Sequence, residues 1–265
     1  MEDKKTLNII VCVKQVPDTT DVKIDPETNT LIREGVESIM NPFDRYAVEE
    51  GVLLKEKYGG RVTALSMGPP QAESVLREAI AMGADEGILL SDRAFAGSDT
   101  WATSYTIAKA IETIKGYNLI ICGKQAADGD TAQVGPGISI HLDIPQVTYV
   151  KKISALKNGK ITAERLIEEG YEVIEVSLPC LLTVVKEINE PRIPSLRGMM
   201  KAKKAEIKVL TVDDLDVKPE YLGLDGSPTQ VMKIFSPPQR EEGLIIEGEI
   251  PDIAEKLAQV IKEHN

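Results

Sequence analysis

One long segment, residues 123–137, combines the residue types that nucleotide binding needs. It lies between an apolar, strand-like run and a helix-like run, so its glycines and free backbone N–H groups can hold a phosphate, and Lys124 can add a positive charge. Asp128 and Asp130 would repel a phosphate, but their carboxylates suit ribose hydroxyls or a closing turn. An ordinary loop of turn-forming residues is the alternative, because the spacing matches neither the Walker nor the Rossmann pattern. The pattern favours binding.

A second helix start, residues 94–104, has hydroxyl and carboxyl side chains crowded at its first turn. Ser98 or Asp99 as an N-cap explains part of this pattern without any ligand, and for this segment alone capping is the favoured interpretation. Two such helix starts on neighbouring strands would suit a pyrophosphate better than a single phosphate.

Side chains for acid–base or nucleophilic catalysis are scarce. His141 lies inside a helix pattern and His264 is beside the chain end, and neither is near a plausible nucleophile, so a catalytic triad is not expected. Cys12, Cys122 and Cys180 lie in or beside apolar runs, which predicts buried thiols in a reducing compartment and neither disulfides nor a metal site. Any reaction would therefore belong to a bound cofactor.

Alternating strand and helix patterns in the first half of the chain would position these segments. Helices are predicted after Asn41-Pro42, acting as N-cap and first-turn proline, from Ala72 to a stop at Gly83, and from Trp101. This order predicts an α/β fold with a mostly parallel sheet and right-handed crossovers. Apolar runs predict its strands at residues 7–13, 61–67, 86–91 and 117–122. Ligands collect at the carboxyl ends of such strands, so we expect four segments to meet there, namely residues 12–15, 41–44, 67–69 and 123–137.

In the second half of the chain, strand patterns follow one another without helices between them. Consecutive strands are predicted at residues 148–155, 160–168, 171–177 and 181–186, with a hairpin turn at Asn158-Gly159. We interpret them as an antiparallel extension of the same sheet, so that residues 1–235 form one domain. After a break at Ser236-Pro237-Pro238, residues 236–265 are predicted to form a C-terminal helical arm. Its apolar stripe must be buried against its own domain or another chain, and it consists of Ile253, Leu257, Val260 and Ile261.

Composition narrows the class of partner. The net charge of −11 argues against nucleic acid, and a chain that is 42% hydrophobic can build a sizeable core. There is no apolar run of 18 residues to span a membrane, and the strand pattern from residue 7 leaves no room for a signal peptide. We therefore expect a cytoplasmic protein.

A proline-stiffened loop precedes a basic helix at residues 189–204, in an otherwise acidic chain. A solvated loop and helix is one interpretation, and composition slightly favours it. The alternative is a docking site for another protein. Leu196 is held by the prolines, Arg192 and Arg197 lie around it, and its side chain could insert into a pocket of a partner as a docking knob.

At these segments the sequence resembles the beta subunits of electron-transferring flavoproteins, and the resemblance covers nearly the whole chain. Any one matching segment is weak, but seven in the same order make coincidence very unlikely. The segments are residues 11–15 (VCVKQ), 40–50 (MNPFDRYAVEE), 81–85 (AMGAD), 123–133 (GKQAADGDTAQ), 189–192 (NEPR), 200–204 (MKAKK) and 237–240 (PPQR).

The resemblance implies an adenine-nucleotide-binding (HUP-like) α/β fold and an obligate heterodimer with an alpha subunit that carries FAD. The C-terminal arm would wrap on that subunit, and the docking loop at residues 189–197 would present Leu196 as its anchor. By the family pattern, the nucleotide pocket is lined by Cys12, Asn41, Pro42, Phe43, Asp44, Met67, Gly123, Lys124, Gln125, Asp128, Gly129, Asp130, Thr131, Gln133 and Val134.

The family has two branches. Conventional members hold structural AMP in this subunit, whereas bifurcating members hold a second FAD that reacts with NADH. Ala132 and Val134 depart from the conventional pattern, and the loop at residues 95–103 resembles the bifurcating branch, which adds Asp99, Thr100 and Thr103 to the FAD site. Residues 35–38 also resemble that branch and place Glu37 near the NADH site.

Three hypotheses follow. In the first, NADH reduces the FAD of this subunit, which sends one electron to ferredoxin or flavodoxin and one to the alpha-subunit FAD. That FAD then serves a flavin dehydrogenase, of the acyl-CoA dehydrogenase type or another. The second is a conventional, AMP-holding subunit, and the third is a stand-alone nucleotide-binding protein of the stress-response type. The docking loop and the terminal helix argue against the third.

Overall fold

The computed structural model describes residues 6–18, 38–232, 243 and 245–263, and this part of the chain is an α/β structure. The strands are β1 (Leu7–Cys12), β2 (Gln15–Pro17), β3 (Ser38–Met40), β4 (Gly60–Met67), β5 (Glu86–Leu90), β6 (Leu119–Gly123), β7 (Gln146–Lys157), β8 (Lys160–Ile167), β9 (Gly170–Ser177), β10 (Cys180–Val184) and β11 (Lys208–Leu210). The helices are α1 (Pro42–Tyr58), α2 (Glu73–Met82), α3 (Thr100–Ile114), α4 (Val134–His141), α5 (Leu196–Lys204) and α6 (Ile250–Glu263). Every strand predicted from the sequence is present, with ends that differ by about two residues at most.

Nine of the described strands form one sheet in the order β11-β5-β4-β1-β6-β10-β7-β8-β9. The pairs from β11 to β7 are parallel, and β8 is antiparallel to both β7 and β9. This confirms the mostly parallel sheet with an antiparallel extension. Because β10 lies between β6 and β7 and pairs with both, the extension belongs to the main sheet.

The strand order reverses beside β1. From β1 the chain steps outward through β4 to β5 and then returns through α3 to β6, on the other side of β1. In an open α/β sheet, the crevice for ligands lies at the carboxyl ends of the strands where the order reverses. Cys12 and Cys122 are in-register partners at this place, so the crevice lies between the loops that follow them.

The expectation that the two candidate helix starts follow neighbouring strands is wrong. β5, which leads to α3, and β6, which leads to α4, are separated by β4 and β1. The helices nevertheless pack together, since a Cβ added to Gly137 of α4 would lie 2.5 Å from the Oγ of Ser104 of α3. The return from β5 to β6 carries α3 back across the sheet, so helix packing brings the two starts together.

Two apolar cores cover the two faces of the sheet. Ile9 of β1 belongs to the core under α1 and α2, and Ile10 belongs to the core under α3 and α4. Successive side chains of a strand point to opposite faces, so both faces of β1 are buried. α5 packs on α2 and joins the first core through Ala202.

Two further predictions about the second half concern a turn and a helix. Asn158 and Gly159 have φ angles of 55° and 70°, the left-handed conformation that a tight hairpin turn requires, so the hairpin is confirmed. The amphipathic helix is confirmed as α6, in which none of the residues is buried and about half of the Leu257 and Ile261 side chains is exposed. Its contact with an alpha subunit stays a prediction.

Residues 211–232 form a segment that the sequence did not indicate, and we name it the C-terminal strap. The N–H of Lys218 donates to the hydroxyl of Tyr105 (2.9 Å), and Thr229 donates through its N–H and its hydroxyl to Asp99 (3.0 and 2.8 Å). These bonds fasten the strap along α3 and the loop before it. No helix in residues 6–18, 38–232 or 245–263 is long and apolar enough to cross a membrane.

Candidate functional site

The crevice beside β1 is closed by bonds between the loops around it. The N–H of Lys14 donates to Asp44 Oδ2 (2.7 Å), and the N–H of Asn41 donates to the carbonyl of Lys14 (2.9 Å). The ammonium of Lys14 reaches Asp128, 2.6 Å from Oδ1. The ends of β1 and β6 and the start of α1 therefore meet, as the sequence predicted.

The remaining expected segment, residues 67–69, forms one wall of the same region. β4 pairs directly with β1, and Met67 ends β4. Met67, Cys12 and Val134 are partly buried and pack on the core under α3 and α4. This arrangement gives the crevice an apolar wall, which suits the flat ring of a nucleobase.

Asn41 occupies the predicted N-cap position of α1, and Pro42 follows in the first turn, but the Asn41 side chain makes no capping bond to the helix. Its Nδ2 donates instead to Asp44 Oδ1 (2.9 Å) and to the carbonyl of Gln125 (2.8 Å), and its Oδ1 accepts from the N–H of Ala127 (3.0 Å). The buried amide satisfies its donors and acceptor by holding the long loop against α1. Asn41 is therefore a positioning residue for that loop.

Asp44 is a buried carboxyl group beneath the crevice. Burial raises the pKa of Asp44 to about 7, although hydrogen bonds from Asn41 and from the backbone N–H groups of Lys14 and Gly123, together with the charge of Lys14, lower it. The folded protein thus holds a proton at Asp44 that the unfolded chain would release at a pH near 3.8.

We expect this proton to make stability depend on pH. Because the folded pKa of Asp44 is raised, the free energy of unfolding should fall as pH rises from about 4 to about 7, by about 1.4 kcal/mol for each unit of pKa difference. Asp44→Asn removes the titration, so the slope over this range should be smaller even if the variant is less stable. Urea denaturation at a series of pH values measures the slope. Asp225→Asn, at an exposed position, is the control that should retain it, and an unchanged slope in Asp44→Asn would contradict the assignment.

The carboxylates of the long loop bond within the protein, as the closing-turn alternative predicted. Asp128 pairs with Lys14, and Asp130, at a positive φ of 50°, accepts from the side chain of Gln125. The residues between and beyond them, Gly129 and Thr131, are exposed. These bonds tie the loop to the end of β1 and to itself and leave its tip open to solvent.

Lys124 lies deeper in the site. Its N–H donates to the carbonyl of Val184 (2.8 Å), and its ammonium lies 5.8 Å and 5.4 Å from the ring centres of Phe43 and Tyr149. The two aromatic faces favour a cation there, so the positive charge that the sequence assigned to Lys124 is held in place. Tyr149 was not predicted, because it lies in β7 and only the fold brings it to the site.

The second helix start combines capping with a bond to the first. Asp99 is the N-cap of α3 and accepts from the N–H groups of Trp101 (2.9 Å) and Ala102 (3.0 Å), which confirms the capping interpretation. The hydroxyl of Thr100 donates to Gln133 Oε1 (2.9 Å), immediately before α4, and Thr103 lies half-buried in the first turn of α3. The starts of α3 and α4 therefore lie side by side.

The docking loop presents a larger apolar surface than the sequence indicated. The side chain of Leu196 is 71% exposed at the start of α5, where Ser195 caps the helix by accepting from Gly198 N–H (3.1 Å). Ile193 is also exposed, and half of Met200 is open to solvent. Leu196 is thus one member of an exposed apolar group.

Arg192 fastens this loop to α1. Its guanidinium donates to both Glu49 (2.8 Å from Nε to Oε2) and Glu56 (2.7 Å from Nη1 to Oε1), and these bonds raise the pKa of Arg192. The side chain of Glu49 is only 5% exposed, so the pair is partly desolvated. Arg197 is exposed and lies next to Leu196. The role of Glu49 in fastening the docking loop was not predicted from the sequence, because Arg192 lies 143 positions away and no local pattern at Glu49 indicates it.

The groups in the crevice fit a nucleotide. Lys124 and the backbone N–H groups at the start of α4 suit phosphate, whereas at the start of α3 the N–H groups of Trp101 and Ala102 already bond to Asp99 and the hydroxyls of Thr100 and Thr103 are the donors left. The carboxylates of Asp128 and Asp130 suit hydroxyls beside their bonds to Lys14 and Gln125. In the described part of the chain, no three His, Cys, Asp or Glu side chains are grouped to hold a metal ion. Glu37 lies outside the described residues, so its place near an NADH site stays a prediction.

Comparison with known proteins extends this result. A model of the electron transfer flavoprotein domain matches residues 28–215. A protein named electron transfer flavoprotein subunit beta, from Thermoanaerobacterium thermosaccharolyticum, is 55% identical over 254 residues, which cover 96% of this chain and 97% of that protein.

Two other relatives carry different names. The caffeyl-CoA reductase-Etf complex subunit CarD of Acetobacterium woodii is 51% identical over 259 residues, covering 97% of this chain and 98% of that protein. The protein FixA of Azotobacter vinelandii is 44% identical over 270 residues, covering 97% and 96%. The similarity therefore includes the crevice, the docking loop and most of the remaining chain.

Proposed function

Because this chain belongs to the electron transfer flavoprotein family, as a beta-type subunit that pairs with an alpha subunit, we propose that it binds an FAD that exchanges electrons with NAD(H). The electrons are divided, or in the reverse direction merged, between ferredoxin or flavodoxin and the FAD of the alpha subunit. That second FAD exchanges electrons with a flavin dehydrogenase.

The observation that carries this proposal is the pair of adjacent helix starts. Thr100 at the start of α3 and Gln133 before α4 are joined by a hydrogen bond of 2.9 Å, beside the crevice where the strand order reverses. Two helix N-termini suit the two phosphates of a dinucleotide, whereas the single phosphate of AMP needs only one. The arrangement therefore favours FAD.

The side chains of this subunit would bind and orient the cofactor. The ammonium of Lys124 would balance phosphate charge, and Met67 and Cys12 would contact the apolar rings. The hydroxyl of Thr103 would donate to a phosphate oxygen, and that of Thr100 would do so in place of its bond to Gln133. FAD supplies the redox chemistry, because a flavin can take up two electrons together and release them singly. The Lys14–Asp128 pair would hold the long loop in place next to the end of β1.

The name of the Acetobacterium woodii relative places that protein in a complex with a caffeyl-CoA reductase. This supports a redox enzyme as a partner of the present chain. The exposed apolar group around Leu196 is the surface we assign to that contact, because a leucine on a fastened loop can enter a pocket at little entropic cost.

A conventional beta subunit that holds structural AMP is the second candidate. One observation favours it: the carboxylate of Asp99 at the start of α3 is close to where a second phosphate would bind, and like charges repel. Its hydrogen bonds from Trp101 and Thr229 disperse part of that charge, which reduces the objection to FAD.

The nucleotide content of the purified heterodimer tests the proposal. We expect two FAD and no AMP after denaturation and chromatography, and bleaching of the beta-site flavin first when NADH is added. Thr100→Val with Thr103→Val should lower beta-site FAD affinity about 100-fold, since two hydrogen bonds to charged groups at about 1.5 kcal/mol each total about 3 kcal/mol.

Thr113→Val is the matched control, because its hydroxyl donates to Ala110 near the far end of the same helix (2.7 Å) and should not affect the flavin. One FAD together with one AMP, and no bleaching by NADH, would assign the chain to the conventional branch.

A further inference from the structure

The carboxylate of Asp99 bonds to two separate parts of the chain at once. Oδ1 accepts from the N–H groups of Trp101 (2.9 Å) and Ala102 (3.0 Å) and so caps α3. Oδ2 accepts from the N–H (3.0 Å) and the hydroxyl (2.8 Å) of Thr229, in the C-terminal strap. The start of α3 and the strap therefore share one acceptor group.

Close packing strengthens this connection. The N–H of Asp99 donates to the Oγ of Ser227 (2.8 Å), which itself donates to the carbonyl of Gly223 (2.6 Å). Gly97, at a φ of 76°, is so near the strap that an added Cβ would lie 3.0 Å from the Cβ of Leu224. The loop before α3 and the strap thus fit together without spare room, and a shift of one displaces the other.

We propose that Asp99 is a positioning residue that couples nucleotide binding at the start of α3 to the C-terminal strap, through the bonds of its carboxylate to Thr229. The inference rests on the proposed function, which places FAD phosphate at that helix start. A phosphate near α3 is repelled by the Asp99 carboxylate, and the two donors of Thr229 reduce that repulsion. A docked strap therefore favours the bound nucleotide, and a bound nucleotide favours the docked strap by the same factor.

Farther along the chain lies α6, whose apolar stripe is exposed at Leu257 and Ile261 and is expected to meet the alpha subunit. The coupling proposed for Asp99 concerns the strap itself, residues 211–232. This assigns a role to Asp99 that differs from direct contact with the cofactor.

Asp99→Asn separates the two bonding functions. Asparagine caps helices about as well as aspartate, so its Oδ1 can keep the bonds to Trp101 and Ala102. Its Nδ2 is a donor and cannot accept from Thr229. The variant should therefore retain α3 and lose the coupling.

Hydrogen exchange of the strap in the heterodimer measures the coupling. In the wild type, exchange of backbone amides in residues 222–232 should be at least about fivefold slower with FAD in the beta site than after its removal, within the usual range of coupling between sites. In Asp99→Asn the difference should disappear, and in Thr229→Val it should become smaller. Thr229→Ser, which keeps both donors, should restore it.

Asp92→Asn is the matched control. Asp92 has the same arrangement at the other end of the strap, with Oδ1 accepting from Ala94 N–H (2.9 Å) and Oδ2 from Val212 N–H (3.1 Å). Asp92→Asn should speed amide exchange of the strap near residue 212. It should leave unchanged the difference in amide exchange of residues 222–232 between the FAD-bound and FAD-free protein.

Two results would overturn the inference while leaving the proposed function intact: FAD bound by the wild type without an effect on strap exchange, or an effect that persists in Asp99→Asn. If the wild-type beta site takes up no FAD, the proposed function fails. Hydrogen exchange of residues 222–232 is then compared with and without AMP in the beta site. If AMP leaves this exchange unchanged, the coupling is rejected.

Discussion

Gly123→Ala should weaken nucleotide binding and lower the free energy of unfolding by about 3 kcal/mol, near the upper end for overpacked positions. A Cβ at this position would lie 2.3 Å from Asp44 Oδ1 and 2.8 Å from the carbonyl carbon of Phe43. The start of α1 cannot retreat easily, because Asn41 ties it to the long loop. The loop after β6 must move instead, and the displacement of Lys124 from its place near the phosphate should lower nucleotide affinity about tenfold, since one bond to a charged group contributes about 1.5 kcal/mol.

Gly129→Ala is the matched control for this experiment. Gly129 lies in the same loop, and a Cβ there would have open space within 4 Å. Its stability should equal that of the wild type. Urea denaturation and nucleotide titration of both heterodimer variants measure the effects, and wild-type values for Gly123→Ala would show that β6 and α1 are not as close as described.

Arg192→Met should lower the free energy of unfolding by about 2 to 3 kcal/mol and reduce electron transfer to the dehydrogenase partner. The substitution leaves the buried carboxylate of Glu49 without its cation, and loss of one partner of a buried pair costs about 3 to 5 kcal/mol. We expect a smaller value because a third of the Arg192 side chain is exposed. The docking loop also loses its attachment to Glu56.

Two further variants separate stability from docking. Glu49→Gln combined with Arg192→Met removes the buried charge, so stability should recover in part while electron transfer stays low. Leu196→Ala should leave stability unchanged, because the side chain is exposed, but weaken docking by about 2 kcal/mol, or about 30-fold. Normal electron transfer in all three variants would show that the partner docks elsewhere.

Local sequence patterns predicted most of the elements. The apolar face of α2, which includes Val75, Leu76 and Ile80, is buried, and Gly83 ends the helix at a φ of 134°. Helix periodicity and turn residues act within windows of about 11 to 18 positions at most, so one stretch of sequence contains the whole signal. The same is true of the hairpin at Asn158.

Contacts between distant residues could not be predicted in this way. The Asn41 amide has a residue type that suits a cap, yet its partners Gln125 and Ala127 are more than 80 positions away. The same is true of Asp99 and Thr229, and of the strand order, which depends on where the chain returns after β5. In each case the local sequence predicted the kind of bond that the residue can make, but it did not predict which distant residue or strand is the partner.

Helix α1 holds the crevice at one end and the docking loop farther along. Asn41 and Asp44 form the first contact, and Glu49 forms the second. One inserted residue between them would turn Glu49 by about 100° around the helix axis and advance it by about 1.5 Å, away from Arg192. During evolution, this stretch of α1 can therefore change by substitution but not by gain or loss of single residues. The number of residues between Asp44 and Glu49 is fixed because both contacts must lie on the correct faces of one helix.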